Sequence, residues 1–325
     1  MPEPEDLPFS PYCRKGQAPL GGRTKHHAAG KGAFWAPLVL LAFLTQERKA
    51  FLFANFPQPG WGMGGNAMNT ALVCVSFGTS VAEARRSIAA VEEALRAELP
   101  QARFVRAFTS PTIRRALAAR GEEVWSFPQA LECLAQEGYG CVVAQPTHLL
   151  FGLEYEAIRA QAEEARGRFP RLLLGSPLLA GTQDLRDLAQ AVCESCPKQP
   201  GQALVLMGHG TPHFANVVYP ALQGVFRAMG RADVFVGTVE GWPGIGLIAR
   251  QVKEAGFPAA RLAPLMLVAG DHARRDMAGD APESWKNVLA RQGLEVTWVL
   301  RGLGEDPGVQ ALYRRHLREL LAREA

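Results

Sequence analysis

The sequence predicts an α/β fold made of two similar Rossmann-like or flavodoxin-like domains, each with a parallel sheet, separated by an interdomain cleft. From residue 70 onward, short apolar runs alternate with segments in which apolar residues recur every three or four positions. That alternation is typical of strands joined by helices that cover both faces of a parallel sheet. A segment rich in proline and glutamine at 197–202 interrupts the pattern, which then restarts.

In the first half, the continuous apolar run ALVCVSF predicts a strand at 71–77. The spacing of Val81, Ile88, Val91 and Leu95 predicts a helix over 80–98. The same criteria predict further strands at 104–108, 141–145 and 172–175, and helices at 111–119, 127–137, from about 154, and at 183–195. In the second half they predict strands at 203–208, 234–239, 261–268 and 296–300, and helices at 214–229, 243–255, 280–292 and 307–323.

The two halves also resemble each other in sequence. SFGTS at 76–80 aligns with GHGTP at 208–212, and QPTHLLFGLEYE at 145–156 aligns with APLMLVAGDHAR at 263–274. Duplication of one α/β unit explains both matches. It predicts a cleft lined by the loops at the carboxyl ends of the strands, where open α/β sheets bind their ligands.

Residues 1–67 differ from the rest and are predicted to form a leader, followed by an N-terminal domain at 68–198 and a C-terminal domain at 199–325. The apolar run at 33–44 is too short to span a bilayer. Three interpretations stay open: a dispensable, disordered leader or over-extended start upstream of Met63 or Met68, a targeting segment, or a folded element. We expect a cytoplasmic protein, or a periplasmic one if the leader holds a real signal.

Composition excludes several classes of protein. The leader carries seven Lys/Arg and four acids, which leaves 28 basic and 27 acidic residues for the remainder, so no basic stripe suggests nucleic acid. No segment predicts a membrane protein. Six cysteines in 325 residues do not make a disulfide scaffold; Cys74 and Cys141 are predicted core residues, and Cys193 and Cys196 form a lone CxxC. Whether the chain forms a homo-oligomer stays open.

Three candidate metal ligands directly follow predicted strands of the second half. His209 lies between Gly208 and Gly210, where the backbone can turn sharply; Glu240 follows VFVGTV, and His272 follows the strand at 261–268. Because the carboxyl ends of parallel strands share one edge of a sheet, these side chains can converge. Two imidazoles and a carboxylate suit a divalent transition metal and leave coordination positions open.

The facing half offers polar groups at matching positions. Glu154 aligns with His272, and His148 ends the run VVAQPTH, while His213 follows His209 by four residues and would share its helix face or face solvent. Hydroxyl groups at helix starts are candidates for anion or substrate binding: Ser76, Thr79, Ser80, Thr109 and Ser110. Arginines that would meet carboxylates are Arg106, Arg114, Arg115, Arg274 and Arg275.

The motifs VCVSFGTS, GLEYE, MGHG, VEGWP and PLMLVAGDHARRDMAGD occur in order from about Met68 to the C-terminus. Together they resemble the anaerobic sirohydrochlorin cobaltochelatases of cobalamin biosynthesis, which are class II chelatases related to bacterial ferrochelatases. The resemblance implies a chelatase-like fold, a metal triad of His209, Glu240 and His272, His209 as proton acceptor, and Glu154 as an acidic catalytic residue. The chain departs from the family after GHG, where it reads TPHFAN instead of two adjacent histidines.

The implied reaction inserts Co²⁺, as substrate, into sirohydrochlorin or precorrin-2 with release of two protons, and uses no permanent cofactor. Fe²⁺ and Ni²⁺ suit the same ligands, so a ferrochelatase of sirohaem synthesis is an alternative. A carrier of tetrapyrrole or metal would need the ligands but no base. A metal-dependent hydrolase is a further alternative, although the chain has no nucleophile elbow or phosphate loop.

Overall fold

The computed structural model describes residues 69–323, so the predicted leader at 1–67 lies outside the described residues. This range contains eight strands and nine α-helices, with one helix after each strand except β2, which is followed by two. The strands are β1 Thr70–Ser76, β2 Arg103–Phe108, β3 Cys141–Pro146, β4 Arg171–Leu174, β5 Gln202–Gly208, β6 Val234–Thr238, β7 Ala259–Pro264 and β8 Glu295–Trp298. The helices are α1 Arg85–Arg96, α2 Pro111–Ala118, α3 Phe127–Gln136, α4 Leu153–Ala165, α5 Thr182–Ser195, α6 Val218–Ala228, α7 Ile245–Glu254, α8 Trp285–Arg291 and α9 Pro307–Arg323.

The strands form two four-stranded sheets of identical topology, in the orders β2-β1-β3-β4 and β6-β5-β7-β8. Every strand pair in both sheets is parallel. Pro146 ends β3 beside Val75, and Pro264 ends β7 beside Met207, so the aligned prolines occupy equivalent positions. The predicted α/β class and parallel sheets are confirmed, and the equivalence supports the duplication inferred from the sequence.

The strands β1, β3 and β5 are buried on both faces, which explains their continuous apolar runs. All of β5 is buried, and Cys74 and Cys141 are buried core residues as predicted. One apolar cluster spans both halves and includes Leu72 of β1, Leu204 of β5 and Tyr313 of α9. The halves therefore share part of their hydrophobic core.

Helix α9 follows the second sheet in the chain but packs against α1 and α5 of the first half. Arg314 and Arg318 both bond Glu98, just beyond α1, and the buried Tyr313 hydroxyl donates to the Thr147 carbonyl oxygen at 2.6 Å. These contacts attach the last helix to the first half of the protein. The division at 198/199 stays a prediction.

Several element boundaries differ from the prediction for local reasons. The predicted helix at 80–98 begins only at Arg85, because Thr79 Oγ1 accepts from the Val81 N–H and the chain turns there first. The predicted strand at 261–268 ends at Pro264, because Met266 and Leu267 turn their carbonyl oxygens to the N–H groups of 303–304. The predicted helix at 214–229 splits into a 3₁₀ turn, Phe214–Val217, and α6.

Within the described range 69–323, no helix combines the length and apolar character needed to cross a bilayer. The two thiols of the CxxC motif lie at the end of α5 and are not joined by a disulfide. Burial raises the pKa of both Cys193 and Cys196, which keeps these thiols protonated and poorly nucleophilic at neutral pH.

Candidate metal and substrate site

Three adjacent strands bring the candidate metal ligands together. His209 follows β5, Glu240 follows β6 and His272 lies in the loop after β7, and these strands are neighbours in the second sheet. One ligand atom from each residue lies within 4.8 Å of the others. The His209 and His272 rings meet edge to face with centroids 4.7 Å apart, and His209 Nε2 is 3.8 Å from Glu240 Oε2. Across residues 69–323 no other group of three His, Cys, Asp or Glu converges in this way.

The two glycines beside His209 are required by close contacts. A Cβ at Gly208 would overlap the Tyr219 ring. Gly210 has φ +83°, in the left-handed region, and a Cβ there would lie 2.6 Å from the Gly241 backbone nitrogen. That close approach lets the Glu240 N–H donate to the His209 carbonyl oxygen at 2.7 Å. The glycines thus allow the loops that carry His209 and Glu240 to bond each other directly.

Hydrogen bonds fix which imidazole nitrogen is available to a metal. His209 Nδ1 lies 2.9 Å from the Gly210 carbonyl oxygen, which can only accept, so Nδ1 carries the proton. His272 Nδ1 lies 2.6 Å from Asp276 Oδ2 and donates to it in the same way. Each ring therefore keeps its free lone pair on Nε2, where it is available to a metal. A carboxylate behind a ligating histidine raises the basicity of that histidine and holds its ring in place.

Three residues that support this site were not predicted from the sequence. Asp276 lies in the short π-helical turn Ala273–Met277 that carries the chain away from His272. The Tyr219 hydroxyl accepts from the Gly210 N–H at 3.2 Å, and Asn216 bridges the Thr211 N–H to the Trp242 carbonyl oxygen. Asp276 stands four residues after His272, a spacing that was visible in the sequence. No local pattern marks the other two.

The facing wall carries Glu154 in the first turn of α4 and His148 in the loop after β3. Glu154 is exposed to solvent. Neither ring nitrogen of His148 has a hydrogen-bond partner within the described part of the chain, and both are buried. Burial lowers the pKa of His148 to about 4, against the opposing effect of the Glu154 carboxylate, so the ring is neutral at pH 7.

His213 neither shares a helix face with His209 nor simply faces solvent, the two outcomes expected from its spacing. Its Nδ1 caps the 3₁₀ turn by accepting from the Ala215 N–H at 3.1 Å. Its Nε2 lies 3.4 Å from Glu156 Oε1 on α4 of the other half. His213 therefore connects the two walls of the site.

The predicted substrate hydroxyls differ in burial and in whether the protein already bonds them. Ser76 is buried and bonds the Thr147 hydroxyl at 2.8 Å, and Ser110 Oγ caps α2 by accepting from the Ile113 N–H. Thr79 is buried, with its hydroxyl oxygen 3.8 Å from where a Cβ on Gly270 of the other half would lie. Thr109 Oγ1 is buried without a partner among the residues described. Ser80 is partly exposed at the start of the turn before α1. Their roles toward a substrate stay predictions.

The structure removes Arg106 from the arginines predicted to meet carboxylates in the cleft. Its guanidinium forms a two-point hydrogen-bonded pair with the buried Glu92 of α1, because the residue lies within β2 with its side chain on the helix face of the sheet. Arg274 remains at the site and contacts Glu83 of the first half at 3.5 Å.

Comparisons with known proteins identify the family of this chain and its relatives. The family model described as "Cobalt chelatase (CbiK)" matches residues 70–322. A sirohydrochlorin cobaltochelatase of Salmonella typhimurium is 39% identical over 257 residues, covering 78% of this chain and 97% of the relative. The sirohydrochlorin cobaltochelatase CbiKC of Nitratidesulfovibrio vulgaris is 35% identical over 252 residues, covering 76% and 88%.

Solved structures with low sequence identity share the fold. SirB from Bacillus subtilis with Fe³⁺ matches with a TM-score of 0.55 and 15% identity, covering 79% of this chain and 97% of SirB. A sirohydrochlorin chelatase SirB from Bacillus subtilis subspecies spizizenii in complex with cobalt matches with a TM-score of 0.53 and 13% identity, with the same coverage. The chelatase-like fold is thereby confirmed. The family match over nearly all of the described residues, together with the two curated relatives, shows that this chain belongs to the CbiK cobalt chelatase family.

Proposed function

We propose that this protein is a sirohydrochlorin cobaltochelatase, which inserts Co²⁺ into sirohydrochlorin and releases two protons in cobalamin biosynthesis. The observation that carries the proposal is the convergence of His209, Glu240 and His272 within 4.8 Å at the carboxyl edge of one sheet. The names of the two curated relatives support the substrate and the metal.

The donor set suits a metal that must be released again. Two neutral imidazoles and one carboxylate bind a divalent ion through three groups and leave its other coordination positions open for the pyrrole nitrogens. Glu240 offsets one of the two positive charges. Cobalt enters as a substrate, so a site with fewer ligands than the ion prefers favours transfer over permanent retention.

Two pyrrole N–H protons must leave as the metal enters. His209 Nε2 has a single lone pair, because Nδ1 is committed to the Gly210 carbonyl oxygen. It can therefore accept a proton only after it releases the metal, which couples metal transfer to deprotonation. Glu154, which is exposed on the facing wall, accepts or relays the second proton in this proposal.

The experiment is anaerobic metal insertion by the full chain, followed by the absorbance change of sirohydrochlorin. Co²⁺, Fe²⁺ and Ni²⁺ are compared with each other and with enzyme-free reactions. We expect acceleration with Co²⁺ that His209→Ala abolishes. The control His27→Ala, which replaces a histidine of the predicted leader, should leave it intact. Faster turnover with Fe²⁺ than with Co²⁺ would favour the ferrochelatase alternative.

The same experiment tests the carrier alternative. A carrier needs the ligands but no base, so it would bind sirohydrochlorin and Co²⁺ without accelerating their reaction. His209→Ala that binds sirohydrochlorin as tightly as the wild type but does not turn over would support the enzyme. A wild-type protein that binds both partners and gives no acceleration would refute it.

A further inference from the structure

Two side-chain bridges join the halves close to the candidate metal ligands His209 and His272. Arg274 Nη2 lies 3.5 Å from Glu83 Oε2, and His213 Nε2 lies 3.4 Å from Glu156 Oε1. Arg274 comes two residues after His272, and His213 comes four residues after His209. In each bridge the second half supplies the hydrogen-bond donor from a ligand-bearing loop, and the first half supplies a glutamate from the facing wall.

The two donors differ in charge. Arg274 carries a permanent guanidinium charge and presents planar N–H groups that match a carboxylate. His213 accepts the Ala215 N–H at Nδ1, so its proton is on Nε2 and the neutral ring donates toward Glu156. Both are groups that a carboxylate binds, and Arg274 is the stronger of the two.

These bridges are weak compared with the contacts that hold the halves together. The side chains of Arg274 and Glu83 are 42% and 71% exposed, whereas Glu98, which holds Arg314 and Arg318 of α9, is 10% exposed. Exposed ion pairs contribute little to stability because water solvates both partners. Helix α9 and the shared core therefore hold the two halves together. The bridges can open without separating the halves.

We propose that Arg274 and His213 are the receptors for two carboxylates of the tetrapyrrole substrate, and that Glu83 and Glu156 occupy them in the substrate-free protein. This inference rests on the proposed function, because sirohydrochlorin carries eight carboxylates around a flat macrocycle. A carboxylate of the substrate replaces a glutamate carboxylate on the same donor, so the exchange conserves charge and hydrogen bonds. The glutamates keep both donors oriented and compete with the substrate for them.

The competition has a consequence that simple binding residues do not share. Removing the charge of Glu83 or Glu156 should tighten binding of sirohydrochlorin, since the substrate no longer displaces a partner. An exposed pair of this kind corresponds to a change of up to about fivefold in the dissociation constant. Removing the donor should weaken binding, and we expect about a fivefold effect or more for Arg274 and a smaller one for His213.

The test measures the dissociation constant of metal-free sirohydrochlorin by its fluorescence, on the full chain and without Co²⁺. For the first bridge the variants are Glu83→Gln, Arg274→Gln and the double variant. For the second bridge they are Glu156→Gln and His213→Asn. Asparagine at 213 retains a side-chain acceptor for the Ala215 N–H. Glu132→Gln is the matched control, because Glu132 pairs with Arg168 within the first half at similar exposure. Thermal melting of each variant verifies that it is folded.

We expect Glu83→Gln to bind more tightly than the wild type, and to have no further effect once Arg274 is replaced, because its influence passes through that arginine. Glu132→Gln should bind as the wild type does. Weaker or unchanged binding by Glu83→Gln, or unchanged binding by Arg274→Gln, would overturn the inference. A wild-type protein that neither binds nor metallates sirohydrochlorin would instead refute the proposed function itself.

Discussion

Replacing Asp276 should weaken cobalt binding although this residue is placed behind a ligand and not in contact with the metal. Its Oδ2 accepts from His272 Nδ1 at 2.6 Å, a short hydrogen bond to a charged acceptor. That bond commits Nδ1, which leaves Nε2 for the metal and makes Nε2 a better donor to it. Carboxylates in this position contribute about 10- to 100-fold to metal affinity.

The two replacements of Asp276 should differ in size. Asp276→Asn keeps an oxygen acceptor but loses the charge, so we expect about tenfold weaker Co²⁺ binding, or about 1.4 kcal/mol. Asp276→Ala also frees the ring to rotate, and we expect a loss of about 100-fold. The dissociation constant is measured anaerobically from the visible absorption of bound Co²⁺, in the absence of sirohydrochlorin.

Asp280→Asn is the control for this experiment. It removes the same charge from the same loop, but Asp280 pairs with Lys286 and does not contact a ligand. Its cobalt affinity should match that of the wild type. If both Asp276 variants bind Co²⁺ as the wild type does, the carboxylate does not position His272, and the ring is held by packing alone. If Asp280→Asn loses as much affinity as Asp276→Asn, general electrostatics and not the hydrogen bond is responsible.

Three further predictions test other parts of the structure. Glu154→Gln should lower kcat at least about 100-fold with little change in substrate affinity, if it accepts a proton; steady-state rates with Co²⁺ measure this, and an unchanged kcat would exclude the role. Gly210→Ala should weaken Co²⁺ binding, because a Cβ would lie 2.6 Å from the Gly241 nitrogen at φ +83°, whereas Gly224→Ala, on an open helix face, should not; equal affinities would contradict the assigned loop geometry. Hydrogen bonding by Arg231 lowers the pKa of Asp233 to about 2 from 3.8, so its ionised form stabilises the fold above pH 4 and this contribution is lost as the pH falls toward 2. Asp233→Asn should therefore be destabilising in urea unfolding by up to about 2 kcal/mol at pH 7 and by roughly half of that at pH 3, and an equal effect at both would contradict the ion pair.

Much of the fold could be predicted because periodicity reflects burial. The continuous apolar runs that became β1, β3 and β5 mark strands covered on both faces, and their order along the chain implied parallel sheets. Strand order was not readable from these runs. Two predicted boundaries were wrong. At 80–84 a side-chain hydrogen bond replaces the first helical backbone bonds, and at 265–268 backbone bonds to a distant loop replace the strand pairing.

The sequence by itself determined the class of fold, the repeat, the family and the three candidate metal ligands. Each of these depends on local pattern: apolar spacing, a glycine pair around His209, and side chains that directly follow strands. The carboxyl ends of parallel strands share an edge of the sheet, so the sequence predicted that His209, Glu240 and His272 can converge, and the observed strand order β6-β5-β7 brings them together.

Only the tertiary structure decided which neighbours act on those ligands. The pairing of Arg106 with Glu92, the packing of Tyr219 under Gly208 and the bridges from Arg274 and His213 all join residues that local pattern does not relate. Such contacts depend on side-chain direction and on how helices pack over the sheets, and neither has a signature in a single sequence. The local sequence therefore predicts which residue types can bind a metal. Tertiary packing sets their tautomers, their orientation and the access of a metal or substrate to them.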